Sequence, residues 1–130
     1  MFDKVEYWLD LCDDNMISAR ILLNSKRNMD VGFYCHQITE KALKAMVASV
    51  TMEIPPKIHD LKKLASKGKI SDILSEKQLE FLVELEPLNI EARYPDYKRS
   101  IAKMMTDEKT ARIFKETEEF LCWIKQRLGK

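Results

Sequence analysis

Residues 31–50 carry apolar side chains at helical spacing on two separate faces, and this constrains the fold more than any other feature. Val31, Tyr34, Cys35, Ile38, Ala42, Ala45 and Met46 form one stripe, and Phe33, His36, Glu40, Leu43, Val47 and Val50 form another. At one helical residue per 100°, the second stripe lies about 150° round from the first. Only the sector of Gln37, Lys41, Lys44 and Ala48 reads as solvated. A helix apolar on two sides must be covered on two sides. It is expected at the centre of the fold, packed by its own chain on one face and by a second subunit on the other.

The rest of the chain supplies helices to surround it. Val5, Trp8, Leu9, Cys12, Met16, Ala19 and Leu23 follow a single helical face, with Asp3 and Glu6 as its cap. Asn24 to Asn28 reads as a polar turn, and Asp30 as the cap of the second helix. Pro55-Pro56 enforces an extended break. A short helix is expected from about His59 to Lys67, with Leu61, Leu64 and Ala65 inward and Gly68 as its stop. Ser75 and Gln78 have the spacing of a capping box that opens a fourth helix, with Leu79, Leu82, Val83 and Leu85 inward and a kink at Pro87. Pro95 disfavours helix at Tyr94. Thr106 or Asp107 opens a last helix with Ile113, Phe114, Thr117, Leu121, Ile124 and Leu128 along one side. With 3 Gly and 4 Pro in 130 residues there is little punctuation, which favours few, long elements. These features predict one domain over residues 1–130. Its fold class is all-α, an antiparallel, up-and-down bundle of about five helices, four long or medium and one short.

Composition narrows the setting. A 45% hydrophobic and 33% charged chain is that of an ordinary globule. Cys12, Cys35 and Cys122 are far apart with no CxxC pair, which suits a reduced, cytoplasmic interior. No apolar run reaches the roughly 18–20 residues of a membrane span, and MFDKVEYW is too polar for a signal peptide. The expectation is a soluble cytoplasmic protein with no membrane association. A net charge of +1 hides an asymmetry. Asp3, Glu6, Asp10, Asp13 and Asp14 face only Lys4 at the start. Lys57, Lys62, Lys63, Lys67 and Lys69 cluster around Asp60, and Arg93, Lys98, Arg99 and Lys103 around Asp96. Such basic stretches attract phosphates or simply form solvated helix faces.

Three segments carry residues with chemistry. His36 and Glu40 are neighbours on one helical face, either a polar site in which the carboxylate orients the imidazole or a hydrogen-bonded pair inside an interface. His59 and Asp60 sit where a helix begins. They cap it, or, with Lys57, Lys62 and Lys63, they receive a phosphate at the helix start. Arg93-Tyr94-Pro95 either braces a helix end and pairs with Glu91 or Asp96, or grips a phosphate bidentately while Tyr94 or Tyr97 stacks on a base. His36 and Glu40 supply two metal ligands and would need a third from His59 or Asp60, so no metal is expected. There is no glycine-rich phosphate loop and no Ser-His-Asp or Cys-His arrangement.

FYCHQITEKALKA at 33–45, PPKIHDLKKL at 55–64 and IEARYPDY at 90–97 together resemble the HEPN family, the higher eukaryotes and prokaryotes nucleotide-binding domain. The resemblance runs from about Met1 to Arg127 and is strongest between Tyr34 and Pro95. It implies a helical bundle that pairs as a homodimer through helices near its polar site. It also implies a small partner of the minimal nucleotidyltransferase type, or a toxin–antitoxin pair in which the HEPN protein cleaves RNA. The RNA-cleaving branch places its general acid/base His about four to six residues after an Arg. Here Arg93 is followed by Tyr94, Pro95, Asp96, Tyr97, Lys98, Arg99 and Ser100, and His36 and His59 are the only histidines. What the resemblance then implies is a non-enzymatic accessory subunit without a cofactor, binding a nucleotide or its nucleotide-bearing partner. Its polar site would comprise His36, Glu40, Lys41, His59, Asp60, Arg93 and Tyr94, with Lys41 and Arg93 on phosphate and His36 and Glu40 on base or sugar. The alternatives are an RNA-cleaving toxin using Arg93 and His36 as a non-standard pair, and a structural homodimer with no ligand site. The first two readings expect His, Glu and Arg side chains to converge beside the two-fold axis.

Overall fold

The computed structural model describes residues 3–89 and 95–130, and among these all regular structure is helical. The elements are α1 (Lys4–Asn24), α2 (Asn28–Thr51), α3 (Leu61–Lys67), α4 (Glu76–Leu85), α5 (Pro95–Met104) and α6 (Asp107–Arg127). Short 3-10 turns at Ser71–Ile73 and Glu86–Leu88 flank α4. This is an all-α bundle, as expected, with one helix more than the sequence indicated. None of the described helices is long and apolar enough to cross a membrane.

Local signals set most of the boundaries. Asp3 caps α1, its carboxylate accepting from the amides of Val5 and Glu6. Ser75 and Gln78 close a reciprocal capping box at the start of α4. Asp30, by contrast, is not the cap of α2. The helix begins earlier, at Asn28, because the Asn28 side chain is tied to the carbonyl of Met105 and to Asp107 across the bundle. Asp30 instead binds the Arg27 guanidinium from within the first turn. Pro87 ends α4 at Leu85 rather than kinking it, and opens the 3-10 turn. The helix missed in the sequence is α5. Pro95 stands at its first position, where a missing N–H costs nothing, and only Ile101 of its ten residues is buried, so its apolar signal is faint.

The central position of α2 is as anticipated. α2 packs on α1, α3 and α6 and touches α4, α5 and the Glu86–Leu88 turn. On the second apolar face, where a partner subunit was expected, Glu40 is reached by His59 of the same chain, while Phe33 is half-buried and Val50 is exposed. His36, Leu43 and Val47 are buried there, and on the first face a Cβ on Gly68 would lie 3.0 Å from Met46. The sector taken for solvated is also corrected. Lys44 and Ala48 are buried, and Gln37 and Lys41 are half-buried. α1 runs along that sector, its Asn15 receiving Lys41 and its Trp8 lying under Lys44. On α4, Phe81, Leu82 and Leu85 face the core while Leu79 and Val83 are exposed. Near the start of α2, Gly32 lets Leu88 and Met105 approach: an added Cβ would meet Met105 Cε at 3.0 Å.

Candidate functional site

Glu40 is the hub of the polar residues inside this bundle. Nearly all of its surface is buried, at 3% exposure, so its carboxylate needs partners within the protein. Its Oε2 accepts from Lys44 Nζ at 3.0 Å, one helical turn further along α2. Its Oε1 lies 2.9 Å from Nδ1 of His59 and 3.9 Å from Nδ1 of His36. Lys44 is itself enclosed, its ammonium 5.4 Å from the centre of the Trp8 ring, where the ring face offers further electrostatic attraction. Glu40 and Lys44 thus form a buried ion pair inside a largely apolar helix.

His59 reaches Glu40 because the extended segment after α2 returns along the helix before α3 starts. Asp60, the next residue, caps α3 by accepting from the amide of Lys63, and Glu86 accepts from the amide of Leu61. Both carboxylates occupy amides that an incoming phosphate at this helix start would have used. The His59 side chain is 65% exposed while the Glu40 side chain is 4% exposed. A carboxylate can only accept, so Nδ1 of His59 carries the proton towards Glu40 and Nε2 is left for solvent or a ligand. Arranged in this way, the imidazole can accept at Nε2 a proton or a hydrogen bond from an incoming hydroxyl.

The structure therefore brings His36, Glu40 and His59 together and adds Lys44, which sequence reasoning had left on the outside. The spacing of Glu40 and Lys44, four residues apart on one helix, was the available signal. Lys41 is engaged elsewhere, its Nζ 2.6 Å from Asn15 Oδ1. Asp60 lies next to the cluster in sequence and serves as a cap. Arg93 and Tyr94 fall outside the described residues, so their convergence with this cluster is not placed. Among the described residues, no group of three or more His, Cys, Asp or Glu side chains is arranged to hold a metal ion.

Cations next to His59 are unmatched. Lys62, Lys63 and Lys67 occupy the face of α3 opposite Leu61, Leu64 and Ala65, and all three are exposed. Neither they nor Lys57 form an ion pair among the described residues, whereas Arg20, Lys26, Arg27, Arg112 and Lys125 each have an acidic partner.

The protein is an all-helical bundle with a buried carboxylate that holds an exposed imidazole. The family model of the HEPN domain matches residues 5–128, nearly the whole chain, and the protein belongs to the HEPN-domain family. No curated protein and no solved structure matches the chain. Membership supports a nucleotide-binding or RNA-cleaving type of domain.

Proposed function

We propose that this HEPN domain binds a nucleotide at the Glu40–His59 cluster and serves as the accessory half of a two-component system. Its partner is a minimal nucleotidyltransferase, in an arrangement of the toxin–antitoxin type, and the HEPN half is a homodimer. The observation that carries the nucleotide reading is the buried carboxylate of Glu40 fixing an exposed His59 ring beside unmatched lysines. Lys57, Lys62 and Lys63 supply positive charge for phosphates, while Nε2 of His59 accepts a hydrogen bond from a ribose hydroxyl. Lys44 neutralises Glu40 from within, so the cluster presents no net negative charge to an anionic ligand.

Titration calorimetry with ATP and GTP tests this reading. Saturable binding at millimolar ligand or below is expected, weakened about tenfold in His59→Ala; no heat at millimolar ligand overturns it. Co-expression with a neighbouring nucleotidyltransferase reading frame tests the partnership, and light scattering tests the dimer.

One observation favours RNA cleavage as a second reading. A carboxylate-held imidazole with a free Nε2 is the arrangement of a general base, here able to take the proton of a ribose 2′-hydroxyl. His36 is fully enclosed and does not reach a substrate in this arrangement, so His59 would act as the general base, with Arg93 on the phosphate. Structured RNA cut by the wild type but not by His59→Ala or Arg93→Ala would establish this activity. Intact RNA in all three would dismiss it.

A further inference from the structure

α4 and α6 diverge over a cleft of about 230 Å³ lined by Lys77, Gln78, Phe81, Glu116, Glu119, Phe120 and Trp123. None of these residues belongs to the Glu40 cluster. The floor is a run of three rings: Phe81 and Phe120 have centroids 5.8 Å apart, as do Phe120 and Trp123. Phe81 and Phe120 are buried, and Trp123 is half-buried. Trp123 already holds a cation on its ring, with Arg127 Cζ 5.5 Å from the centroid.

Charges of opposite sign stand on the two lips. Lys77, exposed on α4, forms no ion pair among the described residues, and neither does Glu119, exposed on α6. Glu116 is partly neutralised by Arg112 at 3.3 Å, and Arg112 is further held by Glu84 at 2.8 Å. An unpaired cation on α4 and an unpaired carboxylate on α6 therefore line the same aromatic-floored cleft. A single positive ligand would have to sit against Lys77, and a single negative one against Glu119 and Glu116. A ligand carrying both charges on an apolar body satisfies every group. The volume lies below the roughly 300–1,000 Å³ of sites for drug-sized ligands, so the ligand is small.

We propose that this cleft is a binding site for a small zwitterion with an aromatic or apolar side chain, of the free α-amino acid class. Its carboxylate meets Lys77, its ammonium meets Glu119 beside the Trp123 ring, and its side chain lies on Phe81 and Phe120. The site is independent of the nucleotide reading.

Trp123 fluorescence and calorimetry on the full chain provide the test, with L-phenylalanine as the zwitterion. Phenethylamine, which lacks the carboxylate, and 3-phenylpropionate, which lacks the ammonium, serve as one-charge probes. Lys77→Ala and Glu119→Gln alter exposed side chains, and circular dichroism verifies that both variants remain folded. Expected is saturable binding of phenylalanine at millimolar concentration or below, weakened about tenfold for each probe and in each variant. The absence of saturation at about 10 mM, equal binding of a one-charge probe, or unchanged affinity in both variants overturns the proposal.

Discussion

Oε1 of Glu40 stands 2.9 Å from Nδ1 of His59, joining a side chain 4% exposed to one 65% exposed. These residues are separated by the end of α2 and an extended loop, so the contact fixes the loop to the central helix as well as the tautomer of the ring. The same carboxylate reaches Lys44 on its other oxygen. One buried charge therefore couples the stability of α2 to the placement of the only described imidazole that solvent reaches.

Removing one partner of the Glu40–Lys44 pair strands the other. Glu40→Leu should cost about 3 kcal/mol of unfolding free energy by leaving an enclosed ammonium, at the lower end for buried pairs because the lysine stem can carry its head outwards. The double variant Glu40→Leu/Lys44→Met restores apolar packing and should return to within about 1 kcal/mol of the wild type. Urea unfolding of the two variants and the wild type checks this. A double variant no more stable than Glu40→Leu would show that the pair contributes little.

Thiol chemistry should separate the three cysteines. Cys12 and Cys35 are buried and Cys122 is exposed. Burial pushes both enclosed thiols up from 9.0 to about 12, Asp13 adding to the effect at Cys12. The thiolate is the reactive form, so a thiol reagent at pH 8 should label Cys122 rapidly in the native protein. Cys12 and Cys35 should react only after denaturant is added. Rapid labelling of the Cys122→Ser variant would contradict the enclosed positions.

The same shifts make the fold sensitive to alkali. In the unfolded chain Cys12 and Cys35 ionise near 9, whereas in the folded state they stay protonated until about 12. The native state therefore holds more protons between those values, and stability falls as pH rises through that window. Each thiol contributes a slope of about 1.4 kcal/mol per pH unit. Urea midpoints measured at pH 8 and pH 10.5 should fall more steeply for the wild type than for Cys12→Ala/Cys35→Ala. Parallel slopes would mean the thiols ionise in the native state.

What could be read in advance follows from how local each cause is. The Ser75–Gln78 box lies within one turn, so sequence alone located the start of α4. Asp30 looked equally suitable as a cap, but the tie of Asn28 to Met105 and Asp107 starts the helix elsewhere and leaves no local trace. Lys44 was assigned to water because periodicity registers polarity and not the neighbour, here Trp8 of α1. The second apolar face of α2 was legible, yet nothing in the pattern says whether the covering helix belongs to the same chain. His36 and Glu40 were legible as a pair from their spacing. The approach of His59 depends on the path after Pro55-Pro56, which no periodicity encodes.

Arg112 makes a fork across the outer ends of α4 and α6, with 2.9 and 2.8 Å bonds to the two oxygens of Glu84 and a further 3.3 Å bond to Glu116. The Arg112 hydrogen bond, opposed in part by burial, holds the Glu84 carboxyl below its ordinary 4.5. A carboxyl with a lowered folded pKa stabilises the native state above that ordinary value and loses its contribution as pH falls through the folded one. The Arg112 side chain is 47% exposed, so solvent screens the pair and its contribution is small, about 0.5–1 kcal/mol at pH 7. Glu84→Gln should therefore cost that amount at pH 7, less in high salt, and progressively less as pH falls below 4.5. A loss that does not shrink as pH falls would assign the effect to packing between α4 and α6 instead of to charge.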